Sequence, residues 1–353
     1  MTGEPNRWRR FWRVFLAAAG GAAAFVYAFV LIADPYDTLP FSPPFERYPV
    51  SSNQRFSFPA LAVRPAFDSA IIGTSTTRLL RPAQLDRLFE AHFVNLSMNS
   101  ATTYEQMRIY DLFVDTHPAP KVVIFGIDME WCIQEEMPEL TFRPFPPWLY
   151  DGNPWNDALY LFNFTAVEQA VRQIAQASGL QPVRYGRDGY TDFLPPASEY
   201  DLAKAQDGLY HGAAPGPRPP ADPPEIVTDE MRRGWSFAQH PRMAHMLRRL
   251  PAGTVKVLVM VPYHHFRQPV PNSADAAVWE VCKQRLAAIA GAFPNAHTLD
   301  FMIPSEITRE DRNYWDPLHY SVETAARLGD LIAEGVRTRQ GRPDLFRYLV
   351  PEN

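Results

Sequence analysis

The sequence lacks most of the signatures that announce a function. It carries no zinc-protease pattern and no phosphate-binding glycine loop, so no metal site and no cofactor is expected. Its formal charge is only −5. Lys and Arg never gather into a basic stripe, which leaves nucleic acid outside the expected partners. There are only two cysteines, Cys132 and Cys282. They would pair only in an oxidising compartment, and Cys282 shares a helical face with Trp279, Leu286 and Ile289, where it also reads as a plain buried apolar side chain. The histidines form no metal-binding pattern either. His264 and His265 are adjacent and in a strand would point to opposite faces, while His240 and His245 are five apart and share no helical face.

Long uncharged runs are equally scarce, with one exception. Val14 to Ala33 contains no charge and has about the ~20 residues that a membrane-spanning helix needs. Arg7, Arg9, Arg10 and Arg13 precede it, and Asp34 and Asp37 follow. The positive-inside rule then keeps residues 1–13 cytoplasmic and exports everything after residue 34. No small-x-small pair ends the run, so an uncleaved anchor is expected rather than a signal peptide. The expected location is a single pass in the inner membrane with a periplasmic C-terminal domain.

After the anchor, residues 34–66 are rich in proline and aromatics without periodicity and read as an extended linker. Short apolar runs then alternate with helical patterns. Five buried strands are expected at Ser69–Ile72, Phe93–Met98, Val122–Ile127, Val255–Val261 and His297–Phe301. Amphipathic helices are expected at Thr103–Val114, Trp155–Ala177, Thr228–Leu250 and Ala276–Phe293, with a last one capped by Ser321. Alternation of this kind implies an α/β fold, a doubly wound parallel five-stranded sheet in three α/β/α layers. The domain would span 67–350, with a helical and loop insertion at about 130–250.

In an open parallel sheet, ligands bind beyond the carboxyl ends of the strands. All the polar clusters fall there: Gly73-Thr74-Ser75, Asn95 to Ser100, Gly126-Ile127-Asp128, His264-His265, and Asp316-Pro317-Leu318-His319. A serine hydroxyl becomes a nucleophile when an imidazole takes its proton and a carboxylate orients that imidazole. Ser75, His319 and Asp316 supply these groups, and the i, i+3 spacing lets Asp316 and His319 face one serine. Asp300, ending the last strand, is the other carboxylate that could orient His319.

With these blocks in place, 67–336 resembles the SGNH/GDSL hydrolase superfamily, within it the membrane-anchored branch of alginate O-acetylation and DltD-like envelope proteins. Gly73-Thr74-Ser75 stands for Gly-Asp-Ser, and Asp316-x-x-His319 matches the last block. Asp128 replaces the asparagine that the family's third block uses to bind the oxyanion. Asn99, with the backbone N–H of Ser75 or Thr76, is the expected substitute donor. The resemblance implies an esterase or O-acyltransferase acting on an acyl ester or envelope carbohydrate, with a multi-pass membrane acyltransferase as a possible partner. Its alternative is a catalytically weak binding or assembly component with the same fold.

Overall fold

A computed structural model describes residues 4–350 of the chain. They form two compact units, residues 4–52 with 146–186, and 53–145 with 187–350.

In the first unit, Glu4–Ala33 is one helix. Its Arg7–Ala33 stretch is long and apolar enough to cross a membrane, with an 18-residue window of mean hydropathy 2.2. Arg47 finishes the helix by donating to the carbonyls of Ala33 and Ile32 (3.0 and 3.3 Å), where a cation meets the negative end of the helix dipole. A second helix, Phe164–Ala177, packs against it. It starts later than the pattern over Trp155–Ala177 implied, because Asn163 accepts from the Ala166 N–H and caps it there, leaving Asp157–Tyr160 as a separate 3₁₀ turn.

The second unit is built on a mixed but mostly parallel sheet. Strands β1 (Ser69–Ile72), β2 (Phe93–Asn95), β3 (Val122–Ile127), β4 (Val255–Met260), β5 (Ala296–Asp300) and β6 (Arg347–Tyr348) lie in the order β2-β1-β3-β4-β5-β6. The expected five strands are all present, but the sheet has six. β6 runs antiparallel to β5, and its two residues are too short to leave a periodic signature. β2 is also shorter than expected, because after Asn95 the chain turns toward the site.

Alternate strand residues serve opposite faces. Ile71, Ile124, Val257, Val259 and Leu299 share one core with Leu85, Leu328 and Ile332, from the helices Pro82–Phe89 and Val322–Thr338. The helices Thr103–Thr116, His240–Arg248 and Ala274–Gly291 pack together elsewhere, and Tyr110 meets Phe125 of β3 at 5.7 Å. The expected helix Thr228–Leu250 is two helices, Asp229–Gly234 and His240–Arg248. Pro241 lacks the N–H that a continuous helix would need there and serves at the start of the second instead.

Cys132 and Cys282 form a disulfide across 150 residues of sequence, which corrects the reading of Cys282 as merely a packed apolar side chain. It is buried in its helix, as the pattern indicated, and it is also bonded. Residues 34–66 include two short helices, Gln54–Ser57 and Pro59–Ala62, where only extended chain was expected.

Candidate active site

β1 and β3 are the neighbours from which the order of the parallel strands departs in opposite directions, and a crevice opens at such a switch point. The candidate site lies there. β1 runs out at Ile72, and Ser75–Thr77 forms one 3₁₀ turn with Thr74 as its cap. Two glycines allow this turn to sit against β3. A Cβ on either Gly73 or Gly126 would collide with the Thr77 side chain, so the turn needs both positions bare.

The turn is pinned from several sides. The Asn95 carboxamide donates to the carbonyls of Thr77, Arg78 and Leu80 (3.0, 3.3 and 3.0 Å). Thr77 Oγ1 meets Ser97 Oγ at 2.8 Å, and the Tyr320 hydroxyl donates to the Thr76 carbonyl. Ser75 is left half-buried on the surface of this scaffold.

The other two residues arrive on a closed loop. The Ser321 N–H donates to Asn313 O (2.7 Å), the Trp315 N–H donates to His319 O (2.9 Å), and Tyr314 pairs with Tyr320. Asp316 followed by proline is the pairing that a tight turn favours. Asp316 Oδ1 accepts the N–H groups of Leu318 and His319 (2.8 and 2.9 Å). Its Oδ2 lies 2.7 Å from His319 Nδ1, and His319 Nε2 lies 2.9 Å from Ser75 Oγ. The three groups therefore form one continuous relay, with Ser75 and His319 separated by 244 residues of sequence. Asp300 is not part of it. Its carboxylate is held by Lys283 (2.9 Å) and Arg347 (3.0 Å).

Burial by itself would raise the Asp316 carboxyl. The hydrogen bond and charge of His319, together with the two backbone N–H groups, outweigh it and hold Asp316 below its ordinary value. It is therefore ionised at neutral pH and accepts the Nδ1 proton, which leaves Nε2 free to take a proton from Ser75. The His319 ring is steadied by the edge of Phe193, 5.3 Å away at 83°.

Asp128 sits beneath the serine turn rather than open to a reacting group. It is buried and accepts from the hydroxyls of Thr74, Thr76 and Tyr263, the last two at 2.9 Å. Burial raises its pKa above the usual carboxylate range, and the three hydroxyls and His319 only partly offset that. Glu130 nearby is pushed up to about 7, by burial first and then by the Asp128 charge. Thr76 thus spends its hydroxyl on Asp128, and its N–H makes only a long 3.5 Å contact with Thr74 Oγ1. The Ser75 N–H has no acceptor among the described residues. Asn99 turns its carboxamide oxygen to the Arg78 guanidinium, so its NH₂ faces away from Arg78.

Asn95, Arg78 and Phe193 were not singled out from sequence. Asn95 ends β2 and opens the polar cluster in which Asn99 drew attention, and its role depends on reaching carbonyls 15 to 18 residues upstream. Trp131 is buried in the core and does not line the site.

Beside Asp316 and His319 opens a cleft of about 500 Å³, lined by Phe193, Tyr200 and Trp315 with Asp201 and Lys204 at its rim. Farther along, His264 and His265 lie beyond the end of β4, so strand alternation does not separate them. Both approach Asp311, with ligand atoms of all three within 4.8 Å of one another, a spacing that a metal ion can bridge. Hydrogen bonds already link them: His264 Nε2 lies 3.0 Å from Asp311, and Tyr210 donates to the same carboxylate at 2.8 Å. The His264 N–H in turn holds the Pro317 carbonyl (3.1 Å), supporting the loop that carries His319.

In comparison with known proteins, no family model and no curated protein matches the chain.

Proposed function

We propose that the protein is a membrane-anchored serine esterase or O-acyltransferase of SGNH type. The observation that carries this reading is the Ser75–His319–Asp316 relay, with distances of 2.9 and 2.7 Å. In this mechanism Ser75 Oγ attacks the acyl carbonyl while its proton passes to His319 Nε2. Asp316 stabilises the imidazolium, which then returns the proton to the departing alkoxide, leaving an acyl-Ser75 ester. Water or a sugar hydroxyl, deprotonated by the same His319, takes the acyl group and restores the serine.

The tetrahedral oxyanion needs donors fixed in advance, each supporting roughly 3 to 4 kcal/mol of transition-state stabilisation. The Ser75 N–H and the Asn99 NH₂ are the donors in this reading, and Arg78 orients the latter. Thr76 contributes through its position in the turn rather than through its hydroxyl. The aromatic cleft with a charged rim supports a carbohydrate as acyl donor or acceptor, because sugar rings stack on aromatic faces while their hydroxyls seek polar rims. The disulfide supports an extracytoplasmic site, consistent with the arginines before residue 14 and with the inner membrane as the location. A multi-pass membrane acyltransferase supplying the acyl group would suit such an anchor.

One observation favours the alternative of a binding or assembly component. Asp128 occupies the position of the family's oxyanion amide, and no side chain of that block replaces it. Turnover of a small acetyl ester separates the two readings. Ser75→Ala and His319→Ala should each abolish nearly all activity, and the double variant should lose little more. No turnover in the wild-type protein would leave the binding reading, and wild-type turnover in Ser75→Ala would refute Ser75 as the nucleophile.

A further inference from the structure

The helix Phe164–Ala177 is inside out. Its buried face consists of Ala166, Gln169, Ala170 and Gln173, while Phe164, Val171 and Ile174 are exposed. At 100° per residue these three fall within one sector of about 80° outside the buried face, with Ile174 at its border and Phe164 and Val171 turned away from it. Such an arrangement is unfavourable in water, where the apolar stripe should be the one covered. The segment leading into the helix repeats the pattern. Trp155, Leu159 and Phe162 are exposed, with Leu159 at 78% and Phe164 at 95%.

The N-terminal helix fixes the level at which these side chains stand. Tyr27 donates its hydroxyl to the Ala158 carbonyl at 2.7 Å, and its ring meets Phe162 edge-on at 5.5 Å. Tyr27 lies six residues before Ala33, hence about 9 Å inward from the end of the apolar run at 1.5 Å per residue. Gln173, near the other end of the second helix, faces the Tyr48 backbone and pairs with its N–H and C=O once its amide is oriented to match them. Tyr48 adjoins Arg47, which caps the N-terminal helix at Ala33. The second helix therefore climbs from the level of Tyr27 to that of Ala33.

Backbone in hydrocarbon must satisfy its own polar groups, and this segment satisfies several of its own near Tyr27. The Ala158 carbonyl accepts from the Leu161 N–H as well as from Tyr27, and the Leu161 carbonyl accepts from the Asn163 N–H (2.9 Å). The Asn163 carboxamide donates to Tyr160 O at 2.7 Å and accepts from Ala166 N–H at 2.8 Å. The charged pair on the helix, Glu168 and Arg172, bond each other at 2.7 Å.

We propose that residues 155–164 and the outward stripe of Phe164–Ala177 form a re-entrant wedge immersed in the lipid leaflet nearest the C-terminal end of the membrane helix. The occupant of the exposed apolar face is acyl chains. The proposal rests on the membrane-spanning reading of Arg7–Ala33 and is independent of the serine chemistry.

The test uses the full-length protein, one copy per phospholipid nanodisc, with an environment-sensitive nitrobenzoxadiazole label on single added cysteines. L159C and F164C probe the wedge, F25C the membrane helix, and D229C an exposed site in the other unit. Leu159 and Phe164 stand clear of their own protein, so neither substitution removes a packed core contact. Labels at F25C, L159C and F164C should all be quenched at least twofold by doxyl-lipids and shielded from iodide, whereas D229C should be quenched by iodide alone. If F25C is quenched by lipid while L159C and F164C answer to iodide, the wedge is overturned and the anchor stands. If F25C answers to iodide too, the anchor reading fails and takes the wedge with it. Shielding at L159C and F164C from both quenchers would mean that protein covers the face, which also overturns the proposal.

Discussion

Arg55→Met is the sharpest perturbation of the scaffold beneath the site. Arg55 and Glu105 form an ion pair with neither side chain exposed (0% each). Arg55 Nε donates to Glu105 at 2.8 Å, a second guanidinium nitrogen bonds the other carboxylate oxygen, and the Thr102 N–H donates to Glu105 at 3.0 Å. The same guanidinium holds the carbonyls of Asn99 (3.2 Å) and Ser100 (3.5 Å). Methionine fills most of the volume but leaves Glu105 buried without its counter-charge, a loss of about 3–5 kcal/mol for pairs of this kind. At about 2 °C per kcal/mol for a chain of this size, the melting temperature in detergent should fall by roughly 6–10 °C. Adding Glu105→Leu removes the orphaned charge, so R55M/E105L should recover most of the loss, short of about 1 kcal/mol for the forfeited capping box. Ester turnover should stay low in both variants, because the Asn99 loop has lost its tether. Melting of R55M within 2 °C of wild type, or a double variant weaker than the sum of the singles, would refute the reasoning.

Two further outcomes follow from the carboxylates. Asp316→Asn should lower kcat about 10⁴-fold, because the amide holds His319 in the wrong tautomer, while Asp300→Asn should leave the imidazole oriented; kinetics in which only Asp300→Asn is inactive would reverse the assignment. Asp128 has a raised value in the folded protein, so the stability it confers is present below its unfolded value and is lost as pH rises through the folded one. Thermal melts of Asp128→Asn should therefore gain on wild type between pH 4 and pH 8, and a difference that is flat or shrinks with pH would contradict a raised value.

What the sequence disclosed was chemistry carried by short local patterns. An apolar run ending in Gly-Thr-Ser marks a strand that stops at a turn, and Asp-Pro-Leu-His contains its own turn, so Ser75, Asp316 and His319 could be picked out before their separation was known. The N-terminal helix, long and apolar enough to cross a membrane, was legible because its signal is one of length and charge. Arg55 was not, since nothing in a proline- and aromatic-rich stretch tells that a guanidinium will be buried against a glutamate 50 residues away. The disulfide failed for a related reason: a cysteine on an apolar helical face looks the same whether or not its partner, 150 residues distant, arrives opposite. Asn95 was passed over for Asn99 because both follow an apolar run, and only the fold shows which one pins the serine turn. β6 is two residues long and exists by pairing with β5 rather than by any pattern of its own.

The central claim is that Ser75 is an activated nucleophile. Treating the full-length protein with a fluorophosphonate and mapping the adduct by peptide mass spectrometry tests it most directly, since an unactivated hydroxyl does not displace the leaving group at an appreciable rate. One adduct is expected, on Ser75, absent in Ser75→Ala and strongly reduced in His319→Ala. An unlabelled Ser75 in the folded wild-type protein, or labelling that persists in His319→Ala at the wild-type rate, would contradict it.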